Sequence, residues 1–187
     1  MNRDKPMPNW SFRGMAWLLR FTERFRKPAD RLARIGLKRG QTVLEYGCGA
    51  GSFTIPAARL VGDEGLVYAV DIHPLAIETV EKRAEQAGLS NVRTIRTDRD
   101  TGLPDESVDV VLLYDTLHLV ADKQALLAEL HRVLKPGGFL SADHQHTDRN
   151  EFVAAVTTSE LFALQAQHSE VFSFTKASSQ RVGEGKR

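Results

Sequence analysis

The stretch Val43-Leu44-Glu45-Tyr46-Gly47-Cys48-Gly49-Ala50-Gly51-Ser52-Phe53 constrains this chain more than any other. An apolar run meets an acidic residue, then three glycines at every second position, then the start of a helical pattern. Glycine admits positive φ and lets a ligand approach the backbone without a Cβ in between. The free N–H groups of the helix start that follows favour polar or anionic ligand groups. Spacing separates this turn from the dinucleotide fingerprint, which requires G-x-G-x-x-G. Here Gly47, Gly49 and Gly51 give G-x-G-x-G, with Glu45 two residues ahead. On its own the stretch is either an ordinary tight turn or a ligand cradle. The rest of the chain decides between them.

Length and composition narrow the field. The 187 residues suit one domain. No apolar run approaches the roughly 20 residues of a membrane helix. Met1 to Pro8 is polar and proline-interrupted, unlike a signal peptide, so a cytoplasmic location is expected. Cys48 is the single cysteine, which excludes an intramolecular disulfide and a Cys-rich zinc site. Charge is placed unevenly. Residues 1–40 carry 11 Lys/Arg against 3 Asp/Glu, and the remainder carries 14 against 21. Either an anionic group meets the basic N-terminal segment, or that segment is a solvated helix face.

Taken in order, Ser11 to about Lys27 reads as a helix and Pro28 opens a short second one ending at Gly36. Thr42 to Tyr46 is the first strand and Phe53 to Val61 the first core helix. Leu66 to Val70 is a nearly continuous apolar run ending in Asp71, as a buried parallel strand reads. Pro74 opens the next helix, with Gly88 as its stop. Val92 to Thr97 ends at Asp98, and Val108 to Tyr114 ends at Asp115. Asp122 caps a helix, Lys135 to Gly138 forms a stop and tight turn, and Phe139 to Ala142 is the fifth strand. Asp148 with Glu151 resembles a capping box. Phe162 to Phe174, folded at His168-Ser169, reads as an antiparallel hairpin, and the polar tail 177–187 is expected to be disordered. Strands alternating with helices predict an α/β doubly wound, Rossmann-like sheet.

Several of these segments together resemble the class I S-adenosylmethionine-dependent methyltransferases, in the type 11-like small-molecule branch. Glu45, Gly47, Gly49 and Gly51 resemble the first motif of that family. Ser107-Val108-Asp109-Val110-Val111 with Asp115 and His118 is similar to its fourth motif, and Arg132 to Gly138 to its R-x-L-K-P-G-G turn. The resemblance covers residues 37–176 and implies a seven-stranded sheet whose last strand inserts antiparallel beside the fifth. It implies S-adenosylmethionine as cofactor, held by Glu45, the three glycines, Asp71 with Ile72, Asp98 with Arg99, and Asp115. Residues 1–36 would form a helical lid over a small-molecule acceptor.

Asp115, His118 and His144 are the candidates for positioning the acceptor or taking its proton. Imidazole suits the second role near neutral pH. His146 shares the strand face of His144, so a metal pair is conceivable, but no third ligand at a recognisable spacing supports one and no metal is expected. Cys48 reads as a buried, inert thiol within the turn. Two other readings stay open. The basic N-terminus suits an RNA methyltransferase, and a non-catalytic cofactor-binding scaffold would carry the same carboxylates.

Overall fold

The computed structural model describes residues 6–145, 147–168 and 170–177, with the side chains of residues 19–26 outside that description. His146 and the tail from residue 178 therefore fall outside it, whereas Ala177 is held by its N–H donating to the Leu161 carbonyl at 2.9 Å.

Strands β1 (Thr42–Tyr46), β2 (Leu66–Asp71), β3 (Val92–Arg96), β4 (Val108–Leu113) and β5 (Leu134–Asp143) are parallel. The hairpin β6 (Phe162–His168) and β7 (Val171–Lys176) completes a seven-stranded sheet in the order β3-β2-β1-β4-β5-β7-β6. Strand β7 pairs antiparallel with β5, residue Leu140 opposite Phe174, as the sequence led us to expect. Strand order reverses between β1 and β4, which opens a crevice beyond their carboxyl ends.

The strands are apolar on both faces because both faces are covered. Leu44, Val111 and Leu113 point to one side, into a core with Leu126, Leu127 and Leu130 of α5 (Lys123–Val133) and Phe152 of α6 (Arg149–Thr157). Val43, Val110 and Leu112 point to the other, against Ala57, Ala58 and Val61 of α3 (Thr54–Val61) and Leu32 of α2 (Pro28–Arg34). A third, smaller cluster joins Phe12 and Ala16 of α1 (Asn9–Arg26) to Cys48 and Ala50 of the glycine turn and to Ala76 and Val80 of α4 (Pro74–Gln86). Helix α1 thus docks on the glycine turn and α4, and α2 docks on α3.

One expectation is revised. The Lys135–Gly138 turn does not precede the fifth strand but lies within it. Val108 faces Leu134 while Val110 faces Phe139, so β5 bulges between these pairs. Gly137 takes φ of 78°, and a Cβ on Gly138 would fall 2.6 Å from the Asp109 carbonyl. The glycines let the strand fold back on its neighbour instead of ending.

Candidate functional site

Three strand ends and one turn build the first half of the site. Glu45, near the end of β1, is only 4% exposed and accepts a short hydrogen bond from Thr54 Oγ1. Burial pushes its carboxyl up to about 8, with the Thr54 bond opposing, Asp71 adding to the rise and Arg83 opposing it. The Gly47 and Cys48 N–H groups donate to the Val70 carbonyl at 2.8 and 3.0 Å, and Arg83 holds the Ala50 carbonyl at 2.6 Å.

The glycines serve different needs. A Cβ on Gly47 would overlap the Thr116 side chain, so this glycine lets the loop after β4 close on the turn. Gly49 has φ of 51°, yet a Cβ there would meet nothing within 4 Å. Its space is open.

Asp71 ends β2 with both oxygens engaged. Oδ2 accepts from the Gly49 N–H at 2.9 Å and Oδ1 from the His73 N–H at 2.8 Å. Burial raises its pKa against those two bonds. Half-buried Ile72 follows. Asp98 lies exposed just beyond β3, and its carbonyl accepts from the Tyr46 hydroxyl at 2.5 Å. Arg99, also exposed, stands 3.7 Å from the Asp122 carboxylate, a loose surface contact. His73 then ties the N-terminus to this half. Its Nδ1 accepts from the Leu75 N–H at 3.1 Å, so in the neutral ring Nε2–H donates to the Met7 carbonyl at 2.9 Å. Phe12 stacks on the imidazole at 4.3 Å.

The second half gathers around the ends of β4 and β5. Buried Asp143 accepts from the Asp115 N–H at 2.7 Å through Oδ1 and from Arg31 at 2.9 Å through Oδ2. Burial raises its pKa, while the Asp115 N–H and Arg31 hold it down. Asp115 itself sits in the left-handed region at φ of 52°, a conformation that costs a non-glycine residue about 1–3 kcal/mol. The Arg31 guanidinium lies 4.3 Å over the Tyr114 ring, whose hydroxyl shares a 2.7 Å hydrogen bond with Ser141. Phe53 tilts against Tyr114 at 4.6 Å. Arg31, Phe53, Tyr114, Asp115, Asp143 and Gln145 line a cavity of about 420 Å³. A larger hollow of about 690 Å³ lies between α1 and α4, but no glycine-turn residue or strand-end carboxylate lines it.

Of the acceptor-side candidates, Asp115 lines the smaller cavity, whereas His118 and His144 do not. His118 is half-buried on a single 3-10 turn, Leu117–Leu119. His144 Nδ1 is 3.3 Å from the Thr147 carbonyl, and its ring meets Phe172 edge-on at 5.5 Å. Among the described residues no group of three His, Cys, Asp or Glu could hold a metal ion. Burial raises the Cys48 thiol well above its usual range. Sequence reasoning passed over Arg31, Phe53, Tyr114 and Asp143. Asp143 had a usable signal, because like the other carboxylates it ends a parallel strand. Arg31 had none.

A family profile described as a methyltransferase domain matches residues 37–182. The demethylmenaquinone methyltransferase of Geobacillus stearothermophilus is 36% identical over 110 residues, 58% of this chain and 47% of that protein. Aklanonic acid methyltransferase DauC of a Streptomyces species (strain C5) is 37% identical over 100 residues, 53% of this chain and 46% of its own. The chain therefore spans just under half the length of these curated relatives. Among solved structures, a SAM dependent methyltransferase from Aquifex aeolicus superposes with a TM-score of 0.70 at 25% identity, covering 80% of this chain and 89% of that one.

Proposed function

The chain belongs to the methyltransferase domain family, and from that premise we propose that it transfers a methyl group from S-adenosylmethionine to a small-molecule acceptor. The observation that carries this reading is the row of carboxylates at the ends of β1, β2 and β3, with Asp71 beside the open space at Gly49.

The residues fit such a cofactor. Gly49 leaves room for a ligand against the backbone. The Asp71 oxygens each retain a lone pair beyond the backbone N–H they accept, enough for ribose hydroxyls. The exposed Asp98 carboxylate suits an exocyclic amine, with Ile72 and Arg99 beside the same strand ends. Glu45, neutral at pH 7 while buried alone, ionises when a cationic amino group is placed beside it. S-adenosylmethionine supplies a methyl carbon already attached to a good leaving group, the sulfonium sulfur. The chain's remaining task is to align a nucleophile at about 3–3.5 Å and exclude water.

The cavity at Tyr114 and Asp115 is the acceptor site in this reading, and its size suits a small molecule. The relatives named for demethylmenaquinone and aklanonic acid favour the same class. Asp115 takes the positioning role, with His118 and His144 standing back from the cavity. The lid is divided. Helix α2 contributes Arg31 to the acceptor wall, α1 packs Phe12 on the glycine turn and on His73, and Met7 ahead of α1 bonds the same imidazole.

Calorimetric titration with S-adenosylhomocysteine tests the proposal. One molecule should bind per chain, and folded protein giving no heat with either it or S-adenosylmethionine would overturn the reading.

A further inference from the structure

Helix α1 presents apolar side chains on two sides, one buried and one largely exposed. Phe12 and Ala16, four residues apart, are buried against the glycine turn and α4. Trp10 and Trp17, seven residues apart, and Leu18 beside them lie on a different side of the helix by the 3.6-residue period. These three are 80%, 69% and 54% exposed, the largest cluster of exposed large apolar side chains among the described residues. Exposed tryptophan at two helical positions on one face is what interfacial helices present to the headgroup boundary of a membrane.

We propose that this face of α1 binds the surface of an anionic lipid bilayer, holding the domain there as a peripheral protein. The inference does not depend on the proposed reaction. Charge selects the occupant. Helix α1 carries four arginines against one glutamate, and residues 1–40 carry 11 basic against 3 acidic side chains. The rest of the chain has the opposite sign, 14 against 21. An anionic bilayer therefore attracts the N-terminal segment more than the rest of the chain. A second copy fits less well, because a two-fold interface would bring the two basic ends together. A nucleic acid fits less well too: its phosphates could use Arg13 on the same side of the helix, but they would leave the apolar surface of Leu18 and the indoles uncovered, which a bilayer buries. No helix among the described residues is long and apolar enough to cross a membrane, so the helix lies on the surface and does not span it.

The chain carries its own reporters, because Trp10 and Trp17 are its only tryptophans. The full chain is titrated with vesicles of phosphatidylglycerol and phosphatidylcholine, and in parallel with pure phosphatidylcholine vesicles. The expected result is a blue shift of tryptophan emission and co-sedimentation with the anionic vesicles, at least tenfold weaker on the neutral ones and reversed by high salt. The double variant Trp10→Ser, Leu18→Ser should partition at least tenfold less while melting at the wild-type temperature. Wild-type protein that stays in the supernatant with unshifted emission overturns the proposal. So does an emission shift that tracks protein concentration without lipid, the mark of self-association, or one that single-stranded RNA produces and vesicles do not.

Discussion

The two halves of the site are made differently. The half at β1, β2 and β3 is made by backbone. Its turn is closed by main-chain bonds to Val70 and by Asp71 accepting from Gly49 and His73, all within one βαβ unit. The half at β4 and β5 is made by side chains from distant positions, with Arg31 reaching Asp143 across 112 residues and Phe53 meeting Tyr114. A backbone cradle can be preserved while its surroundings change. A wall of long-range side chains can be re-made for another acceptor without disturbing the cradle.

Substitution should separate the halves. The largest effect belongs to Gly47→Val, which drives a branched side chain into Thr116 at positive φ. It should cost about 3 kcal/mol of stability, at the upper end of overpacking effects, and abolish S-adenosylhomocysteine binding. Gly49→Val should lose binding equally while costing only about 1 kcal/mol, because the strain at φ of 51° is present but the steric clash is not. Denaturant melts and calorimetry on the pair check this. Retained wild-type binding in Gly49→Val would show that the open space at Gly49 is not the cofactor's.

Next comes Arg31→Met. It leaves the Asp143 carboxyl buried without its cation, and should destabilise by about 2–3 kcal/mol, less than a fully buried pair because Arg31 is partly exposed. S-adenosylhomocysteine affinity should stay within about threefold, under 1 kcal/mol. A large loss of affinity would mean that the halves are not separable. Asp71→Ala should cost the opposite way, with affinity falling by at least about tenfold as charge-assisted bonds of about 1.5–3 kcal/mol disappear. Unchanged binding would remove Asp71 from the ribose role.

A further test concerns protons. Glu45 is raised from 4.5 to about 8, so between those values the folded chain holds a proton that the unfolded chain has released. Its contribution to stability is therefore full below pH 4.5 and falls as pH rises towards 8. Glu45→Gln should flatten that decline in urea melts. Binding S-adenosylmethionine at pH 7 should release a fraction of a proton, seen as enthalpies that vary with the buffer's ionisation heat. Buffer-independent enthalpies would place the ammonium elsewhere.

This division also explains what could be read in advance. Strand β1, the glycine spacing and the carboxylates at Asp71 and Asp98 are local in sequence, so pattern and spacing expose them. The hairpin was legible because Phe162, Phe172 and Phe174 fall at alternating positions that enter a core, whereas the pairing of β7 with β5 was implied only by the family resemblance. The turn at Lys135–Gly138 misled, because glycines that end an element and glycines that let a strand bulge over Asp109 look alike in sequence. Arg31 was invisible for a stronger reason. An arginine on a basic amphipathic segment reads as solvated, and only the docking of α2 through Leu32 turns it towards Asp143. His118 and His144 attracted attention by residue type, while Tyr114 and Asp143 line the cavity beside Asp115.

A crystal structure of the full chain with S-adenosylhomocysteine tests the central claim most directly. The ligand should lie over Gly49, with its ribose at Asp71, its adenine between Ile72 and Asp98, and its sulfur facing the cavity at Tyr114 and Asp115. A ligand seated in the hollow between α1 and α4, or one whose sulfur faces away from that cavity, would contradict the division of the site into a backbone cradle and a side-chain wall.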